Sequence, residues 1–303
     1  MTAGLQIRKA TSDDTRGMIS LFSSSIAVTK SSSFFQWWNS IPSVTYCAME
    51  GGEVVGMFVV LKRKLINNLN CGVLMGLLVN KKWRGKGLFQ ELGNKAMDYF
   101  EDIDLFCCLT NELGKRALEK NFHFRTISNI ETMNLAIDPD NVLADNISTP
   151  IKTNTRFINF TSGEKDTIMF LADETFRQWR YGAHPLYVYE MINIDSNKFA
   201  IINKFYDKET NIRYVDIVDF ETEKLEEKRL ADIIKRTYSS LPKDVDMVTI
   251  QVVPNSILHT VTKKIGFLES SIKHCFSVKV KKPDNEYLYD SARWLIKWGD
   301  YLR

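Results

Sequence analysis

No stretch of this chain offers the roughly 18 consecutive apolar residues that a membrane-crossing helix needs. Nor does the start, Met1-Thr-Ala-Gly-Leu-Gln-Ile-Arg-Lys9, contain an apolar signal segment, so the expected location is the cytoplasm. Cysteine is sparse: there are five, an odd number without metal-ligand spacing, which fits reduced thiols better than a disulfide framework and suggests no metal centre. Two of them, Cys107 and Cys108, are neighbours in an expected strand and so point to opposite faces, as small buried thiols do. Charge of one sign is not in excess either. Forty Lys and Arg against 37 Asp and Glu leave +3, without the dominant basic stripe of a nucleic-acid binder.

What remains is an ordinary balance, 44% hydrophobic and 25% charged over 303 residues, enough for about two domains with substantial cores. The most informative stretch is Leu77-Leu78-Val79-Asn80-Lys81-Lys82-Trp83-Arg84-Gly85-Lys86-Gly87-Leu88-Phe89. It follows a strand, Gly72 to Val79, that is almost wholly apolar, as expected when both faces are buried. It precedes Gln90 to Phe100, where apolar residues recur at helical spacing. Gly85 and Gly87 let the backbone come close to an anion, the first amides of the new helix are unpaired donors, and Lys81, Lys82, Arg84 and Lys86 add positive charge. The turn therefore reads as a pyrophosphate cradle. It lacks the Gly-Lys-Ser/Thr ending of a Walker loop and the downstream ribose-binding acid of a dinucleotide fingerprint.

Val79 followed by Arg84-x-x-Gly87 at the mouth of a helix resembles the acetyl-CoA signature of the GNAT acetyltransferases. The family usually has Gly or Ala where Phe89 stands, so either the turn relaxes outward or the ring packs inward beneath the pyrophosphate. The resemblance implies acetyl-CoA as co-substrate, held by Leu77, Leu78, Val79, Arg84, Gly85, Lys86, Gly87, Leu88 and Phe89, with the pantetheine arm between two splayed parallel strands, Gly72 to Val79 and Leu105 to Thr110. The thioester would lie near Met75 to Leu78. Asn111 is similar to the family Asn that contacts the cofactor arm, and it is equally a helix N-cap; both roles are compatible.

The element order also follows the family. A strand at Leu5 to Ala10, a capped helix from Thr11, and a hairpin of Tyr46 to Met49 with Val54 to Leu61 around Gly51-Gly52 precede the turn. Leu105 to Leu109, a short helix Leu113 to Lys120 and an extended run Phe122 to Ala136 follow it. The segment from Asp138-Pro139 to Thr149-Pro150 turns polar and reads as a linker, placing domains at 1–137 and 151–303. The second half shows a hairpin of Lys198 to Tyr206 with Ile212 to Phe220, an amphipathic helix Glu223 to Leu241 and a strand Val248 to Asn255. Asn255 to Gly266-Phe267 then resembles Asn111 to Phe122, 144 residues earlier, with Asn121 in the cap role of Gly266. The chain thus looks like two tandem GNAT-like folds, mixed α/β sheets of the kind seen in two-domain bacterial members. Where the first half has its basic turn the second has Glu221-Thr-Glu-Lys224, which would repel a pyrophosphate; one cofactor site is expected, in the first half.

Transfer of acetyl to an amine needs a base and an acid. The strand Gly72 to Val79 carries no Asp or Glu, and the family Tyr that serves as acid corresponds to about Leu118 and Thr262. The segment Phe176 to Tyr189 crowds aromatic, basic and imidazole groups around a Gly and a Pro. It offers His184 and Tyr187 for proton transfer and Arg177 and Arg180 to grip an anionic acceptor, or else it is packing between the halves. Trp37 and Trp38 of Phe34-Phe35-Gln36-Trp37-Trp38 would stack on a sugar or fill the core. Tyr287 to Tyr301 reads as a docked amphipathic helix or tail. The leading expectation is an N-acetyltransferase acting on a primary amine of a small molecule, such as an amino sugar, as a monomer or homodimer. An aminoacyl transferase of peptidoglycan type and a non-catalytic CoA-binding protein are the alternatives.

Overall fold

The computed structural model describes residues 4–26, 30–138, 148–157 and 167–300. Two compact units result, Met1–Lys64 with Leu69–Thr126 and Ser277–Glu286, and Leu65–Asn68 with Ile127–Phe276 and Tyr287–Arg303. The division between these units falls at Thr126 and Ile127, within a strand that the sequence reading assigned to the first half. Strand β6 (Arg125–Ala136) enters the second unit at Ile127, because Glu131 to Ala136 form a ladder with Val252 to Met247. The second unit in turn returns Ser277–Glu286 to the first. Of the expected linker 138–150, residues 139–147 lie outside the described residues.

The first unit opens with β1 (Leu5–Lys9) and α1 (Thr15–Ile26). Between them Asp14 accepts from the Thr11 amide and pairs with both terminal nitrogens of Arg8, each at 2.7 Å. That network fixes the start of the helix, as capping carboxylates do, and it holds the Asp14 carboxyl below its ordinary range. Helix α1 buries Met18, Leu21 and Phe22, spaced for one face, and α2 (Ser32–Trp38) follows, with Ser31 as its N-cap. Strands β2 (Ser43–Glu50) and β3 (Glu53–Lys64) close a hairpin at Gly51 and Gly52, both at positive φ. Then come β4 (Asn70–Val79), α3 (Leu88–Met97), β5 (Leu105–Thr110) and α4 (Glu112–Phe122). The sheet runs β1-β2-β3-β4-β5 and takes its next strand from the end of β12 (Leu268–Val280). Phe58, Val60, Leu74 and Phe106 meet Leu88, Leu92 and Leu118 in the core under α3 and α4.

After β6 and the short β7 (Ser148–Pro150) the second unit has α5 (Glu174–Arg177), running into one wide turn over Gln178–Gly182. It continues with β8 (Tyr189–Asp195), β9 (Lys198–Asp207), β10 (Ile212–Glu221), α6 (Glu227–Ser239), β11 (Met247–Val252) and α7 (Ile257–Ile265). Its strand order is β12-β6-β11-β10-β9-β8-β7. A parallel β10–β11 pair, α6 and α7 repeat the parallel β4–β5 pair, α3 and α4 of the first unit. The register of the repeat differs from the sequence expectation by one residue. Helix α4 is closed by His123 in the left-handed conformation, and α7 by Gly266, so the spacing is 143 residues. Asn121 is inside α4, donating to the Ala117 carbonyl. At the other end Ser256, not Asn255, caps α7, with Asn255 itself left-handed one residue earlier. Tyr287 to Asp300 forms short tight turns around the buried Trp294.

Candidate active site

Strand β4 is buried from Cys71 to Met75, half-exposed at Gly76, Leu77 and Leu78, and buried again at Val79. Two features open it there. Its parallel pairing with β5 covers only Cys71↔Leu105, Gly72↔Phe106 and Val73↔Cys107. Against β3, the register jumps from Val59↔Met75 to Met57↔Leu78, so Gly76 and Leu77 together oppose Phe58. This is a β-bulge, and bulges free backbone groups from the ladder. Gly76 has φ +58, which L-residues with side chains reach at a cost. It was missing from the expected site residues, although a glycine inside an apolar strand is the sequence signal of a bulge.

The turn after β4 is built on an anchor. Trp83 is buried, its indole N–H donates to Glu50 at 2.9 Å, and Lys86 lies 4.7 Å from its ring centroid. Asn80 accepts from the Lys82 amide, and Arg84 Nε donates to the Val79 carbonyl at 3.0 Å, tying the turn to the strand end. Gly85 and Gly87 have φ +74 and +80 with open space where a β-carbon would stand, and Gly87 is the N-cap of α3. The first turn of α3 bonds Glu91 N–H to Gly87, so the amides of Leu88, Phe89 and Gln90 precede the helical ladder. Lys81, Lys82, Arg84 and Lys86 are exposed around this mouth. Leu88 is buried in the core. Phe89 settles the alternative left by the sequence, since its ring packs inward, 5.6 Å from Phe58 and 5.5 Å from Phe122. Asn111 caps α4, accepting from Gly114 N–H at 3.0 Å.

A strand that splays from its parallel neighbour at a bulge, and then turns through open glycines into a helix N-terminus, can hold an extended arm ending in a pyrophosphate. Residues 14–124 match the acetyltransferase (GNAT) family. That stretch of the first unit is similar to a GNAT domain. No curated protein matches the chain in sequence. Among solved structures, a Pyrococcus horikoshii protein assigned as an acetyltransferase is similar at 14% identity, with 99% of this chain and 96% of that one covered and a TM-score of 0.63. A GCN5-related N-acetyltransferase from Anabaena variabilis shares 10% identity over 91% and 72% of the two chains, at 0.61. Saccharomyces cerevisiae N-myristoyltransferase with bound myristoyl-CoA shares 10% over 98% and 90%, at 0.62. The solved structures thus share one fold with nearly the whole chain, consistent with two tandem GNAT-like folds, and residues 14–124 match the acetyltransferase family.

In the second GNAT fold the corresponding strand end is filled. β10 bulges at Val218, and beyond it Asp219 and Glu221 are buried against Arg177, whose Nε stands 3.2 Å from Asp219. Lys297 donates to Asp219 and to the Phe220 carbonyl. Arg177 is 1% exposed and Arg180 4%; Arg180 donates to Tyr189 Oη at 2.7 Å and to the Gly299 carbonyl at 3.3 Å. These guanidiniums, expected to grip an acceptor, are committed inside the second unit. His184 is half-buried and its Nδ1 accepts from the amides of Leu186 and Tyr187, while Tyr187 stacks on the imidazole at 5.0 Å. Trp37 and Trp38, expected to stack on a sugar, are 6% and 4% exposed and packed with Phe22, Phe34 and Phe35.

Glu131, His259 and Glu269 bring three donor atoms within 4.8 Å of one another. Each carboxylate already holds a lysine, Lys273 at 2.8 Å and Lys263 at 2.9 Å. Moreover, His259 Nδ1 accepts from the Asn255 amide, so the neutral ring carries its proton on Nε2, the atom that faces the carboxylates, and offers no lone pair there. The cysteines are equally closed: all five are buried, and burial pushes Cys47 up to about 12 and Cys108 upward as well. Iodoacetamide on the native protein is therefore expected to leave all five unmodified by mass spectrometry, with full labelling after denaturation. Rapid native labelling of Cys107 or Cys108 would contradict their structural role.

Proposed function

We propose that the protein transfers acetyl from acetyl-CoA, bound on the first unit, to a primary amine of a small molecule by direct attack in a ternary complex. The observation that carries this reading is the break at Gly76 to Leu78, directly upstream of the glycine turn. There the amides released by the bulge would donate to the thioester oxygen as it becomes an oxyanion, a contribution that strengthens as charge develops. The amine nitrogen forms the new C–N bond, the C–S bond breaks, and CoA leaves as thiolate while the ammonium proton passes to solvent or to the thiolate. The strand supplies no carboxylate, and Leu118, where a family acid would stand, is buried. Catalysis then rests on proximity and on an amine that arrives deprotonated.

With Arg177, Arg180, Trp37 and Trp38 committed to internal packing, the support for a sugar acceptor narrows to the primary amine itself, and amino sugars become the first class to screen. Base catalysis by His184 would need a free ring nitrogen, yet the two amides on Nδ1 place the neutral proton on Nε2. His184→Ala is accordingly expected to leave kcat within about twofold of wild type from about pH 6 to about pH 9 in a mass-spectrometric amine screen. A fall of about 100-fold with loss of the basic limb would restore His184 as the base. Acetyl-CoA binding without acetylation of any amine would favour a non-catalytic CoA-binding protein.

A further inference from the structure

We infer that Trp38, with Met57 and Val59, sets the length of the acyl group that the donor site accepts, restricting it to acetyl; this rests on the donor-site reading given above. A β-carbon placed on Gly76 would lie 3.1 Å from Val59 Cγ2 and 3.3 Å from both Met57 Cε and Trp38 Cη2. These contacts are tighter than ordinary packing, so even one methyl on that side of the bulge would have to push its neighbours back by a few tenths of an ångström. Trp38 itself cannot swing away cheaply. Its ring stacks on Phe35 at 6.0 Å, and meets Phe34 edge-on at 5.2 Å and Phe22 at 6.1 Å. Phe34 and Phe35 are buried beneath it in the short helix α2. On β3, Phe58 stands opposite the bulge and packs with Phe89 and Phe122, with centroids 5.5 to 5.9 Å apart.

A thioester carbonyl held at the bulge would have its acyl carbon chain next to Trp38, Met57 and Val59. Added methylenes would force packed aromatic rings off their rotamers or move the backbone. The fold does not impose this limit, because yeast N-myristoyltransferase of similar fold binds myristoyl-CoA. In this chain the limit lies in the residues around Gly76. The Trp38 side chain that the sequence suggested as an acceptor platform thus serves as the floor of the acyl pocket.

Calorimetric binding of CoA, acetyl-CoA and hexanoyl-CoA to wild type, Trp38→Ala and Met57→Ala tests the inference without knowledge of the acceptor. Wild type is expected to bind hexanoyl-CoA at least about 30-fold more weakly than acetyl-CoA, and Trp38→Ala to reduce that ratio to about threefold or less. Met57→Ala, a smaller change to the same wall, is expected to fall between them and serves should the Trp38 variant not fold. Equal binding of both thioesters to wild type would overturn the gate alone, as would unchanged discrimination in the folded variants. Failure of wild type to bind CoA itself would overturn the donor-site reading, and the gate with it.

Discussion

Replacing Gly87 with glutamate is expected to weaken acetyl-CoA binding by at least about 100-fold, equivalent to about 2.7 kcal/mol. Two effects combine. Gly87 sits at φ +80, where a residue with a side chain pays about 1–2 kcal/mol. The new carboxylate would also stand at the N-cap of α3, where it would occupy the amides and offset the positive field that receives a pyrophosphate. Gly87→Asn separates the two contributions. Asparagine tolerates the left-handed conformation, is neutral, and meets no atom within 4 Å of its β-carbon, so binding should weaken by no more than about fivefold. Calorimetry on the three proteins checks this. Binding to Gly87→Glu at wild-type affinity would remove the turn from the cofactor site.

This turn is also where the sequence was most legible, for a physical reason. The left-handed glycines and the exposed basic side chains of the turn all lie within the eleven residues from Val79 to Phe89, so spacing alone exposes its geometry. The core strands and helices were readable for the same reason, since burial imposes periods of two and of 3.6 on the residues that form them. The positions of Arg177, Arg180, Trp37 and Trp38 were not. An arginine that grips a ligand and one that pairs with Asp219 and Glu221, 42 and 44 residues further on, look alike in sequence. Likewise, an aromatic run reads the same whether it faces a ligand or folds on itself, as Phe34, Phe35 and Trp38 do around Phe22. Long-range pairing decides such cases, and a single chain does not display it.

The one-residue error in the repeat has a local origin. Asn111 and Asn255 look equivalent in sequence because both precede a helix, but Asn111 accepts from Gly114 N–H as a cap, whereas Asn255 donates its own amide to His259. The cap of α7 is the next residue, Ser256. At the C-terminal ends the constraint is the left-handed residue, and it is shared: His123 at φ +58 does what Gly266 does at φ +111. Phe124 and Phe267, each following that residue and each buried, are therefore the equivalent pair. The division between the compact units within β6 turns on a related point. Hydrophobic periodicity locates β6 but does not say which unit supplies its ladder partner, and the partner of its second half is β11.

The buried charges of the second unit lead to the other large effect. Arg177→Met is expected to destabilise the protein by about 3–5 kcal/mol near neutral pH, the usual consequence of removing one partner from a buried ion group. Arg177 is shared by Asp219 and Glu221, and Lys297 donates directly to Asp219. The two carboxyls respond differently in consequence. Burial pushes Asp219 upward, but Lys297 and Arg177 together outweigh it and hold the carboxyl low. Burial raises Glu221 by more than Arg177 offsets. Asp219 thus stabilises the fold above the ordinary carboxylate range, and that contribution fades as pH falls through its lowered pKa. Glu221 has the opposite sign. It favours folding when protonated, and this advantage is lost as pH rises through its raised pKa. Without Arg177, Glu221 loses the stronger of the two cations that lower it and rises further. The deficit of the variant should therefore be greatest at about pH 7 and shrink at about pH 5, where Glu221 takes up a proton. Urea unfolding of both proteins at the two pH values measures it, and Arg177→Met with Glu221→Gln should recover part of the loss at neutral pH. A deficit below about 1 kcal/mol, or one that grows on acidification, would mean that Arg177 is not the counter-charge that keeps these carboxylates buried.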